Sequence, residues 1–127
     1  MNKVMLIGRL VKEPELKTTS NGTEVTTFSL AVDRRFKDSS GNRQTDFINI
    51  VAWKQTATFI TKYFHKGNRI GIVGNIQTRS YEDQNGQKHF ITEVVADEAE
   101  FVENNSSTAA DTIEEQAANP QSLPFEI

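Results

Sequence analysis

The 127-residue chain has no cysteine, which excludes a disulfide framework, thiolate chemistry and a cysteine-built zinc site. Its two histidines, His65 and His89, stand apart with no ligand spacing around either. HExxH, Walker, GxGxxG and Ser-His-Asp patterns are all missing. Asp97 and Glu98 are adjacent in a predicted strand, so they point to opposite faces and form no catalytic pair. The expectation is a protein that is not an enzyme and carries neither cofactor nor metal. Long apolar runs are missing as well. The opening MNKVMLIGRL is interrupted by Arg9, too early for a secretory segment or a membrane span. A soluble, cytoplasmic protein without a membrane partner is therefore expected. A hydrophobic content of 36% implies that part of the chain stays outside any packed core.

Basic residues are absent from the last part of the chain. All 14 Lys and Arg lie between Lys3 and Lys88, and with eight carboxylates they give residues 1–92 a charge of +6. Residues 93–127 hold nine carboxylates and no base, so the net of −3 hides two opposite halves. Such a split suits a nucleic-acid binder with an acidic tail.

Asn21-Gly22 and Asn85-Gly86 are hairpin dipeptides, and Ser40-Gly41 marks a longer, weaker turn. They divide the chain into strands at about 3–10, 24–36, 43–53, 69–81 and 88–102. Residues 55–65, QTATFITKYFH, set Phe59, Ile60, Tyr63 and Phe64 on one helical face, with Gly67 in position to follow the last turn. Five strands with a helix between the third and fourth is the element order of an all-β OB-fold, a five-stranded Greek-key barrel. Its expected core is Ile48, Ile50, Ile70, Ile72 and Ile76. Phe28, Phe59, Phe64 and Phe101 read as packing aromatics, and Tyr63 is open to the same reading. The expected domain is 1–103. Residues 104–127, polar and acidic, read as a disordered tail, whose SLPFEI end offers Leu123, Pro124 and Phe125 as a docking motif.

DFINIVAWK, residues 46–54, reads as a strand but does not alternate. Ile48, Ile50 and Ala52 take the core side, yet Phe47, Val51 and Trp53 take the other. On the fourth strand the outer set ends in Tyr81 and includes Arg69 and Arg79. The polar excursion 33–46 presents Phe36 among Arg34, Arg35 and Lys37, although strict alternation from Phe28 turns Phe36 inward unless the ribbon twists or bulges. Aromatics among cations suit single-stranded nucleic acid, whose exposed bases stack and whose phosphates seek positive charge. Candidate phosphate contacts are Lys3, Arg9, Arg34, Arg35, Lys37, Arg43, Lys54, Arg69, Arg79 and Lys88. For Phe47 and Trp53 a subunit interface remains an equal alternative on composition.

The runs NKVMLIGRL, PELKTTSNGTEVTTFSLAVDR, TDFINIVAWKQTA and KYFHKGNRIGIVGNIQTRSYEDQNGQKHFITEVVA, in this order, make residues 1–103 resemble the bacterial-type single-stranded DNA-binding proteins. The resemblance implies an OB-fold homotetramer built on side-by-side first strands. It would coat single-stranded DNA in replication, recombination and repair, at the nucleoid or, for a phage copy, in the host cytoplasm. It assigns base stacking to Phe36, Phe47, Trp53 and Tyr81, and partner docking to the tail. The sequence departs from the family in two places. Tryptophan is common in the family where Phe36, Phe47 and Tyr81 stand, and Phe where Trp53 stands. Glu126 and Ile127 follow Phe125, where the family usually ends on an aspartate run and a terminal Phe. A protein-binding adaptor and an OB-fold nuclease are the competing readings.

Overall fold

The computed structural model describes residues 1–102, so the expectations for 103–127, including Leu123, Pro124 and Phe125, lie outside the described residues. Alternating β-branched and aromatic residues form the strands β1 (Val4–Leu10), β3 (Glu24–Lys37), β4 (Arg43–Trp53), β5 (Arg69–Glu82) and β6 (Lys88–Phe101). A two-residue strand, β2 (Lys17–Thr18), pairs with Val25 and Glu24 and was too short to show in the sequence pattern. One helix, α1 (Lys54–Tyr63), lies between β4 and β5. The strand order is β1-β5-β6-β4-β3-β2, and a β1–β3 pairing closes the ring. β4 and β6 pair in parallel while the other ladders are antiparallel. This is the five-stranded OB barrel.

Leu10, Phe28, Leu30, Ile50, Ile70 and Ile72 fill the barrel, and Ala57, Ile60 and Phe64 cap it from the helix side. Burying each large side chain contributes roughly 1.5–3 kcal/mol. Ile48 is half-buried against this cluster. One expected core residue, Ile76, is not in it. Ile76 is 46% exposed because β5 runs past the barrel rim there, and Phe101 is 58% exposed at the end of β6. Phe101 still packs on Phe64, ring centroids 4.9 Å apart. The helix also ends earlier than 65. Phe64 is already extended at φ −119, its N–H donating to the Ile60 carbonyl, and Gly67 belongs to the following turn, where its N–H donates to Leu10.

The three glycine turns share one construction, where the sequence suggested two kinds. In each, the glycine N–H donates back three residues, to Thr19, Asp38 or Asp83. Each glycine alone takes positive φ, near 80°, as in three-residue hairpin loops built on a type I turn. Asp38 and Asp83 also accept two backbone N–H bonds each through one carboxylate oxygen, all at 2.9 Å. The Asp38 and Asp83 turns tip two long arms, β3–β4 and β5–β6, and the Gly22 turn joins β2 to β3.

Register breaks aim the arms. Val73 pairs Glu98 but Gly74 pairs Ala96, so Asp97 is an extra residue and the inward positions of β6 pass from Val94 and Ala96 to Ala99. A Cβ on Gly74 would strike the Val95 carbonyl. In the other arm the register shifts between Asp33 and Lys37.

Candidate nucleic-acid interface

The outward parity of β4 places Phe47 opposite Ala31 and Trp53 opposite Val25 of β3. Phe47 is 66% exposed and Trp53 42%, each flanked by a smaller neighbour that leaves the ring uncovered. Val51, between them, is buried with Thr27 and Val95 on either side. Phe36 lies within the irregular register of β3, which frees it from strict alternation, and it is 77% exposed with the Arg35 guanidinium 5.6 Å from its ring. Tyr81 projects from the β5–β6 arm, 48% exposed. The structure thus leaves all four aromatics open to solvent, on two arms and the β4 face.

The cations divide into two groups. Arg34 grips Asp46 through both carboxylate oxygens at 3.0–3.3 Å, and the hydrogen bond lowers the Asp46 carboxyl and raises the Arg34 guanidinium. Arg79 donates to Glu93 at 3.0 Å. Both are half-exposed and already partnered. Lys3, Arg35, Lys37, Arg43, Lys54 and Lys88 are exposed and outside these ion pairs. Arg9 and Arg69 sit directly opposite each other across β1 and β5, a like-charge pairing that favours an anion nearby.

Three features escaped the sequence reading. Phe90 is 77% exposed with the Lys88 ammonium 5.9 Å from its ring, and the Lys88-His89-Phe90-Ile91 alternation carried that signal. His89 lies flat on Tyr81 and bonds Asp83 at 2.8 Å. Lys54 adopts φ +57, a left-handed conformation invisible in composition. Elsewhere Glu13 ties the β1–β2 loop to the end of α1. It accepts from Lys66 N–H at 3.0 Å and lies 2.7 Å from His65 Nδ1, contacts that lower its carboxyl, His65 first.

A closed OB barrel with exposed aromatics interleaved with cations is the build of an OB-type binding domain. The model of the single-strand binding protein family matches residues 1–102. The chain is 49% identical over 119 residues to single-stranded DNA-binding protein 1 of Lactococcus lactis, covering 94% of this chain and 79% of that one. It is 44% identical over 118 residues to the single-stranded DNA-binding protein of Staphylococcus aureus (strain MRSA252), covering 91% and 76%. Single-stranded DNA-binding protein A of Bacillus subtilis matches at 48% over 103 residues, 81% of this chain and 60% of that protein. The chain belongs to the single-strand binding protein family, whose members are DNA-binding proteins and not enzymes.

Proposed function

We propose that the chain binds single-stranded DNA without sequence preference, stacking bases on Phe36, Phe47, Trp53 and Tyr81 and meeting phosphates with the surrounding Lys and Arg. The observation that carries this reading is the exposure of all four rings, Phe36 with the Arg35 guanidinium 5.6 Å from it. Exposed large aromatics cost solvation unless something covers them, and unpaired bases cover them whatever their identity. Family membership and the names of the relatives support the same ligand.

On this reading the protein protects DNA strands during replication, recombination and repair, in the cytoplasm. Among the described residues no helix is long and apolar enough to cross a membrane. Residues 1–103 form the DNA-binding domain, and 104–127 form a tail that engages replication or repair proteins through Leu123, Pro124 and Phe125. Self-association into a homotetramer is supported by Met5 and Ile7, 75% and 51% exposed on β1. They flank a shallow groove with Val73, Phe101 and Val102, and β1 pairs with β3 only through Arg9 and Leu10. An edge with open backbone groups and apolar side chains invites a second copy.

Titration of Trp53 fluorescence with oligo(dT) and with a matched duplex tests the proposal. Quenching by the single strand alone, weakening with salt, is expected. An unchanged spectrum with no shift on a native gel would instead assign this face to a protein partner.

A further inference from the structure

We propose that single-stranded DNA continues from Trp53 along the outer side of α1, with Tyr63 as a further stacking residue and Lys62 as a further phosphate contact. The inference rests on the DNA-binding reading above and extends its track onto the helix.

An open cleft of about 790 Å³ runs beside α1, lined by Trp53, Lys54, Thr58, Lys62, Tyr63 and Glu24. Its size falls in the range of sites that take a small-molecule-sized group such as a nucleobase. Helical spacing explains its chemistry. Ala57 and Ile60 turn to the core, which leaves Lys54, Thr58 and Lys62, at i, i+4 and i+8, as a polar cationic stripe on the other side. Trp53 stands at the head of this stripe and Tyr63 at its end, about 15 Å apart at 1.5 Å rise per residue. That is several times the roughly 3.4 Å of axial rise per nucleotide in a stacked strand, so the stripe has room for more than one nucleotide.

The two ends match the main face in kind. Trp53 and Tyr63 are 42% and 47% exposed. Lys62 Nζ lies 5.2 Å from the Tyr63 ring, the same pairing of cation and ring that Arg35 makes with Phe36. Tyr63 is braced from behind by Phe59 at 5.2 Å and Phe101 at 6.0 Å. A ring already held in place loses little freedom when a base stacks on it. Two lysines face one carboxylate, Glu24, and no ion pair engages either lysine among the described residues.

The experiment compares short and long oligo(dT) on the full chain as wild type, Lys62→Gln and Tyr63→Ala. Short oligo(dT) quenching Trp53 in the wild type checks the parent reading alone, and its failure would overturn both. With quenching present, Tyr63→Ala should weaken the long oligonucleotide about ten-fold and leave the short one unchanged. Lys62→Gln should lower the salt slope for the long one by about one. Wild-type behaviour of both variants on the long oligonucleotide overturns the extension. Should Tyr63→Ala fail to fold, photo-crosslinking of 5-iodouracil oligonucleotides to the wild type decides. An adduct on the Tyr63 peptide supports the track, and adducts confined to other peptides overturn it.

Discussion

The rings of Tyr81 and His89 lie stacked, centroids 5.1 Å apart and 21° from parallel, as directly paired residues of β5 and β6. One face of Tyr81 is therefore taken, and a base has only the other face to use. The two rings form one platform, so their losses should not add. Tyr81→Ala should weaken oligo(dT) binding by about 1–3 kcal/mol, His89→Ala by less, and the double variant no more than Tyr81→Ala alone. Additive losses in the Trp53 titration would show that His89 acts separately.

Asp83 makes the base of that platform sensitive to acid. Its bond to His89, followed by the N–H bonds from Gln87 and Asn85, holds its carboxyl below the ordinary 3.8. A carboxyl lowered in the folded chain stabilises the turn fully above its ordinary value, and that stabilisation is lost as pH falls through the lower folded value. The amide signals of Asn85 and Gln87 should move with a midpoint below 3.8 in an NMR titration. A midpoint at or above that value would contradict the geometry.

Arg34 is occupied by Asp46, at the root of the arm that carries Phe36. Half-exposed pairs of this kind contribute little to stability. Asp46→Asn should leave thermal stability nearly unchanged while freeing the guanidinium, so that oligo(dT) binding tightens at low salt and its salt slope steepens by up to about one. Weaker binding would mean that Asp46 orients Arg34 instead of competing for it.

Lys54 should separate stability from binding. A lysine at φ +57 is strained by roughly 1–2 kcal/mol. Lys54→Gly removes the strain together with a cation beside Trp53. The expected result is a melting point higher by a few degrees and a shallower salt slope. A lower melting point would mean that the entropy glycine adds to the unfolded chain outweighs the strain it removes.

Thr26 is 1% exposed, and among the described residues its hydroxyl has no hydrogen-bond partner. Thr26→Val keeps the shape and removes the buried polar atom, so chemical denaturation should report a gain of about 1 kcal/mol. A loss would reveal a bond that the hydroxyl makes in solution.

Residues 46–54 show how far the sequence could be read. Period-two alternation located β4, and its apolar outer side singled out Phe47 and Trp53, because burial on one face leaves a surplus that needs another explanation. Parity failed where the chain gains residues. The Asp97 bulge and the Asp33–Lys37 shift carry no signature in composition, so the inward order of β6 and the orientation of Phe36 had to come from pairing partners on other strands. Ile76 misled for a related reason, since alternation reports which side a residue takes and not whether the barrel extends far enough to cover it. Contacts such as Tyr81 on His89, or Tyr63 on Phe101, join positions whose proximity is set by register and topology.

The parallel ladder joining β4 to β6 has a consequence for how the chain is made. Ile50, Val51 and Ala52 meet Val94, Val95 and Ala96 only after α1 and β5 have intervened. Closing so long a loop precedes any gain from the contacts it forms. During synthesis, β3 and β4 therefore emerge with Phe47 and Trp53 attached to an open sheet, and the barrel can shut only after β6 has left the ribosome.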